Sequence, residues 1–164
     1  MASEFVWGVD PALAKLAFAF ADVDSDKVEV ETLITRTTER EGARLGLLDR
    51  QLRIYARQVA GRYPPACCWI EQPSGRWRNL QLAYATGVIQ GALFETLACP
   101  VWTVPSSAWK RRTVGRGNAT KEQVAGWVDR LGVAVRSQDE ADACAIAIAG
   151  RAMLLAGKWE ASAA

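Results

Sequence analysis

The chain has 164 residues, a net charge of +2 and no histidine. That length suits a single core, since domains usually hold about 100–200 residues. The missing histidine excludes Ser-His-Asp and Cys-His catalysis and any His-ligated zinc, leaving carboxylates, lysine, serine, cysteine or a metal held by oxygen ligands.

Residues 5–10 are an apolar run closed by Asp10 and Pro11, the pattern of a buried central strand with an acid at its C-terminal end. Residues 16–23 and 27–34 are two further strands joined by the polar turn Asp24-Ser25-Asp26, which gives a three-strand antiparallel meander. Asp22, Asp24 and Asp26 have the spacing of a calcium loop. Lys27, however, stands where an EF-hand needs glycine and Leu33 where it needs its bidentate Glu, so a hairpin turn is the reading. In 42–63, Leu45, Leu48, Leu52, Tyr55 and Val59 recur at helical spacing, Arg50, Arg53 and Arg57 line another face, and Pro64-Pro65 ends the helix.

Residues 67–71 are a short buried strand ending in Glu71, followed by a loop over 72–78. A helix over 79–97 carries Ala83, Gly87 and Gly91 every four residues, a stripe that predicts tight packing against another backbone. Residues 101–104 are a strand running into Pro105, and a basic stretch containing Gly115 and Gly117 follows. A helix over 120–131 opens on a Thr120/Gln123 capping box and carries a buried stripe of Val124, Trp127, Val128 and Leu131. The last helix spans 139–156, and the Ala-rich tail at 158–164 is expected to fray. Early strands followed by strand–helix alternation make one mixed α/β domain over 1–157, without internal repeats.

The charge is uneven. Residues 72–121 carry seven basic side chains against the single acid Glu95, a net +6, and leave 13 basic against 17 acidic residues, −4, elsewhere. The basic residues are Arg76, Arg78, Lys110, Arg111, Arg112, Arg116 and Lys121. Such a segment is either a solvated surface or a face for a polyanion. Trp77, between two arginines, and Trp109, before Lys110, favour nucleic acid, because indoles stack on unpaired bases. Cys67, Cys68, Cys99 and Cys144 form no C-x-x-C pair and lie in apolar stretches, which reads as buried, reduced thiols of a cytoplasmic protein. No signal peptide and no membrane span is expected.

Two strands end in an acid, Asp10 and Glu71. If those strands are parallel neighbours, the two carboxylates meet beyond the strand ends. Asp139 and Asp142 share one face of the last helix. Taken singly, Asp10-Pro11 is also a simple turn, and Asp139 and Asp142 also complement a helix dipole. Glu71, closing an apolar run, needs a partner. Four converging acids repel unless a cation lies among them, and hard oxygen ligands favour Mg²⁺ or Mn²⁺. Two such ions can activate water and stabilise the leaving oxygen of a phosphodiester. In 114–121, two glycines precede a helix start whose free N–H groups suit phosphate. Lys121 in that first turn opposes the helix dipole, which makes sense if it faces a phosphate; otherwise it is a surface lysine beside a flexible loop.

These residues resemble the RuvC-type Holliday junction resolvases of the RNase H-like, retroviral-integrase superfamily. The matching motifs are Gly8-Val9-Asp10-Pro11, Ile70-Glu71-Gln72, the stretch from Lys110 to Lys121 around Thr113-Val114-Gly115-Arg116-Gly117, and Asp139-Glu140-Ala141-Asp142 with the apolar run after it. The resemblance covers nearly the whole chain. It implies an RNase H-like fold: a mixed five-stranded sheet, a three-strand antiparallel meander plus parallel strands, flanked by helices. It also implies a homodimeric endonuclease that cuts four-way DNA junctions by paired nicks with Mg²⁺ or Mn²⁺, two ions per site. Carried over motif by motif, Asp10, Glu71, Asp139 and Asp142 are the metal ligands and catalytic acids. Lys110 and Lys121 match the two family lysines implicated in DNA binding and catalysis, with Lys121 counted among the catalytic residues. Arg76, Trp77, Arg78, Arg111, Arg112 and Arg116 complete the expected DNA-binding set.

The chain departs from the family pattern in two places. Ala12 stands where the family usually has glycine, and the loop after Glu71 is shorter than in cellular members, with its usual aromatic out of register. Trp77, flanked by Arg76 and Arg78, is the candidate base-stacking wedge. These departures resemble divergent phage-type members, some of which cut a broader range of branched DNA, and imply a bacterial or phage-infected cytoplasm. A sugar-kinase or actin-like ATPase shares this core fold, but Ala12 and Leu13 occupy the place of its glycine-rich phosphate loop, and the chain is too short for two ATP-clamping lobes. A catalytically silent DNA-binding scaffold is disfavoured by the retention of all four acids.

Overall fold

A sharp alternation of side-chain size along the first strands organises the molecule. In the computed structural model, which describes residues 3–35, 41–73 and 80–157, β1 (Phe5–Asp10), β2 (Lys15–Asp22) and β3 (Val28–Ile34) form the expected antiparallel meander. After α1 (Glu41–Ala60), β4 (Pro65–Glu71) pairs parallel to β1. After α2 (Leu80–Leu97), β5 (Val101–Val104) pairs parallel to β4. The sheet order is β3-β2-β1-β4-β5. Three more helices complete the described residues: α3 (Ser106–Thr113), α4 (Lys121–Arg130) and α5 (Gln138–Leu155).

Successive strand side chains point to opposite faces. Trp7, Val9, Leu16, Phe18, Phe20, Cys68 and Ile70 share a core with Leu48, Leu52, Ala56 and Val59 of α1 and Ala85, Ile89 and Leu93 of α2. The other face of β2 is Ala17, Ala19 and Ala21, packed on Ala143 and Ala147 of α5. With only small side chains between them, sheet and helix approach closely. A Cβ placed on Gly8 would lie 2.3 Å from the Ala143 carbonyl oxygen and 2.4 Å from the Ala147 nitrogen. On the helix side, a Cβ at Gly150 would lie 2.6 Å from the Trp69 ring.

Three expectations need correction. The basic stretch after Pro105 contains α3, with Pro105 as its N-cap; of its residues only Trp109 is buried, so the sequence shows no apolar periodicity there. Leu131 is not in the buried stripe of α4: it is the C-cap and stands 49% exposed, while Val124 and Val128 are buried and the Thr120/Gln123 capping box is present. Of the two partners open to the Ala83/Gly87/Gly91 stripe, the sheet or a second chain, Gly87 and Gly91 do not meet the sheet, nor any other of the described residues. A Cβ at either meets no atom within 4 Å, because α2 buries its Ala85, Thr86, Ile89, Ala92 and Leu93 side instead.

Between β2 and β3 the chain makes the expected hairpin turn. Asp22 Oδ1 accepts from the Asp24 amide at 2.8 Å, and Arg151 of α5 bonds the Asp22 and Ser25 carbonyls and the Asp26 carboxylate. All four cysteines are free and buried. No helix among the described residues is long and apolar enough to cross a membrane. The tail at 158–164 and the 74–79 segment with Arg76, Trp77 and Arg78 lie outside the described residues.

The Gly8 contact is with backbone, which cannot rotate aside. Gly8→Ala is therefore expected to cost about 1–3 kcal/mol of stability, the usual penalty of overpacking, read as a lower urea midpoint at unchanged slope. A midpoint equal to that of the parent would show that α5 does not lie this close.

Candidate active site

The parity that sends Trp7 and Val9 toward α1 sends Gly8 and Asp10 toward α5. In β4, likewise, Trp69 and Glu71 lie on the side opposite Cys68 and Ile70. Because Val9 pairs with Ile70, Asp10 and Glu71 come next, at the carboxyl ends of neighbouring parallel strands. Helix α5 crosses β1 at Gly8 through Ala143 and Ala147, so its N-terminal turns, with Asp139 and Asp142, overhang Asp10. Ser137 caps that helix by accepting from the Glu140 amide at 3.2 Å.

Three of the acids act on the fourth, Asp10. Burial, then Glu71, Asp142 and Asp139, push the Asp10 carboxyl from its ordinary 3.8 up to about 8, against a smaller opposing pull from Lys121. Burial and Asp142 raise Glu71. Burial raises Asp142, with Asp139 adding to the rise. None of the four forms a salt bridge among the described residues. Two neutral donors steady them: Trp109 Nε1 donates to Glu71 Oε2 at 3.1 Å, and Gln138 Nε2 to Asp142 Oδ1 at 3.0 Å.

The lysines face the same cluster. Lys121, the first residue of α4, pulls down Asp10, Glu71 and Asp142, and Lys110 of α3 pulls down Glu71 and Asp142. Arg111, Arg112 and Arg116 stand exposed beside them. Gly117 lets the connecting loop lie against α3, where a Cβ would come 2.9 Å from the Ser107 carbonyl oxygen.

Four carboxylates without a soft ligand suit a hard divalent cation, which would relieve the repulsion that raises Asp10. As the side chains stand, no three acidic or thiol groups among the described residues are close enough to hold one ion. The thiols are no alternative ligands: burial pushes Cys67 and Cys144 up to about 12 and Cys99 to about 11.

Sequence reasoning missed several supports. Gln138 precedes Asp142 by four residues, a legible helix spacing. Trp109, expected from the sequence to stack on bases, is instead buried; it lies 38 residues from Glu71, and no local pattern announces that bond. Glu140, between the two aspartates, turns away from the cluster. It accepts from Thr32 Oγ1 at 2.8 Å and from the Arg136 amide at 2.5 Å, joining β3 to the start of α5. A cavity of about 920 Å³ lies there, between β3 and residues 131–136, and none of the four acids lines it. Asp10, Glu71 and Asp139 are half-buried, and Asp142 is buried.

The family described as Crossover junction endodeoxyribonuclease RuvC matches residues 6–150. The chain is 33% identical over 165 residues to a protein of that name from Gluconobacter oxydans (strain 621H), covering 92% of this chain and 95% of the relative. Its structure is similar to Thermus thermophilus RuvC, alone and in complex with Holliday junction substrate, with a TM-score of 0.76 and 26% identity over 94% of this chain and 97% of that one. The yeast mitochondrial Holliday junction resolvase shares the fold at a TM-score of 0.66 and 13% identity, over 94% of this chain and 83% of that one.

An acid raised by folding costs stability wherever the unfolded chain has lost its proton and the folded chain keeps it. For Asp10 that window runs from its ordinary 3.8 to about 8, so ion-free protein loses stability as pH climbs through it. Thermal melts in EDTA are expected to show Tm falling across this range. Asp10→Asn should flatten the fall and melt above the parent at pH 8; equal slopes in parent and variant would remove Asp10 as its source.

Proposed function

The chain belongs to the RuvC crossover junction endodeoxyribonuclease family, and on that premise we propose that it resolves four-way DNA junctions by paired metal-dependent phosphodiester hydrolysis. The observation that carries this reading is the convergence of Glu71, Asp142 and Asp139 on Asp10 at the carboxyl ends of β1 and β4, with Lys121 and Lys110 near enough to offset them.

In this reading Asp10, Glu71, Asp139 and Asp142 hold two Mg²⁺ ions, with Mn²⁺ able to substitute. Such ions, when bound, supply an activated water and neutralise charge at the leaving oxygen. The chain's own groups do the rest. Lys121, which acts on three of the acids, places positive charge at the scissile phosphate, and Lys110 supports it from α3. Arg111, Arg112 and Arg116 contact phosphates alongside and fix the duplex arm without reading its sequence. Arg76, Trp77 and Arg78, on the segment after Glu71, hold and wedge the unpaired bases at the crossover.

Paired nicks need two active sites, and one chain supplies one, so the working unit is a homodimer. The outward face of α2 supports this: Leu80, Tyr84 and Phe94 stand 54%, 51% and 63% exposed around Gly87 and Gly91, and small residues let two helices meet closely. Residues 1–157 act as one nuclease domain, working on DNA in the cytoplasm. The departures at Ala12 and after Glu71 support a divergent, phage-type place in the family; the relatives matched are bacterial.

Labelled four-way junctions should be cut symmetrically with Mg²⁺ or Mn²⁺ and not in EDTA, beside uncut flap, fork and linear duplex. Asp10→Asn should abolish cutting while retaining junction binding, because phosphate contacts supply most of the affinity. Trp77→Ala should slow cutting. Equal cutting of flaps and forks would shift the reading to a general branched-DNA nuclease, and binding without cutting to a silent scaffold. Gly87→Arg should sediment as a monomer and nick one strand only; paired nicks by that variant would refute the α2 interface.

A further inference from the structure

We infer that Trp109 is a positioning residue of the metal site, its indole edge holding Glu71 and its ring face holding Lys110. The inference rests on the metal site proposed above. Trp109 is 1% exposed in the middle of α3, packed in one cluster with Val104, Ala145 and Ile146. Its ring is therefore anchored to both β5 and α5 and has no room to turn. The indole N–H can only donate. It bonds Glu71 Oε2 at 3.1 Å, and among the described residues Oε1 accepts nothing. One carboxylate oxygen is thereby pinned and the other left to the cluster. The indole itself, lacking an acceptor, cannot compete for a cation.

The face of the same ring lies 5.3 Å from Lys110 Nζ, within cation–π range. One buried side chain thus sets the position of a carboxylate and of the ammonium that offsets it. Burying a carboxylate without a partner is costly, and this indole is the partner that the apolar strand before Glu71 calls for. Hydrogen-bond donors behind metal ligands fix ligand orientation, and removing one usually weakens metal affinity roughly 10–100-fold.

The test is calorimetric titration of Mn²⁺ into the DNA-free full chain and its Trp109→Phe variant. Phe keeps an aromatic face for Lys110 and removes only the donor and part of the packing. The expected result is roughly 10–100-fold weaker Mn²⁺ binding in W109F, with junction binding in EDTA at the parent level. A folded W109F that binds Mn²⁺ as tightly as the parent would overturn the inference. Should W109F fail to fold, the parent still decides. The Trp109 indole N–H resonance, assigned through its own ring and backbone signals, should shift as Mg²⁺ is added. A resonance unmoved at saturation overturns the inference. A parent protein that takes up no Mn²⁺ at all defeats the metal-site reading beneath it.

Discussion

The closeness of α5 to β1 governs everything at the acidic end of the sheet. Gly8 leaves empty the space that the Ala143 carbonyl and the Ala147 amide occupy. With that contact made, the helix cannot slide or lift without opening a void in a close-packed interior, and its N-terminal turns are carried over Asp10. The alanines of β2 and the alanines of α5 extend the same close approach across the sheet. Arg151 ties the far end of α5 to the β2–β3 turn, and Glu140 ties its near end to β3 through Thr32. The helix that brings two of the four acids is thus held at both ends and along its length.

The two faces of the sheet divide the work. Behind the site, Trp7 meets Phe20 at 5.0 Å, Phe20 stacks on Tyr63 at 4.4 Å, and Trp7 Nε1 donates to the Tyr63 carbonyl at 2.9 Å. Aromatic pairs of this kind contribute about 0.5–1.5 kcal/mol each beyond simple burial. That face supplies bulk and stability. On the other, Gly8 and the alanines of β2 let α5 come close, while Val6 and Trp69 pack with Trp109 and Ile146 beside them.

The acids concentrate the cost of this arrangement. Asp10 sits where burial and three like-charged neighbours oppose its ionisation and only Lys121 partly offsets them, while the Trp109 indole and the Gln138 amide donate to Glu71 and Asp142. A fold tolerates such a site when the surrounding packing over-determines it, and functional sites are where local rules are commonly broken.

Much of this was legible in the chain itself. The apolar runs of the strands, the helical spacing of Leu48, Leu52 and Val59, the Thr120/Gln123 box and the acids at strand ends and on one helix face are local patterns. They follow from the periods of 2 and 3.6 residues and need no knowledge of neighbours. The order of the four acid motifs carried the family. The resting places of α3 and α2 were not legible. Helix α3 buries a single residue and so leaves no period, and the stripe of Ala83, Gly87 and Gly91 says that close approach is possible without saying to what. Sequence alone determined which residues carry charge and the apolar face of helices with a clear period, such as α1. The tertiary structure decided that Gly8 is a contact with α5 and that Trp109 is the partner of Glu71. It also decided that Glu140, alone among the acids opening α5, turns aside. Those are choices between residues far apart in the chain, made by packing density and by the need of each buried polar group for a partner.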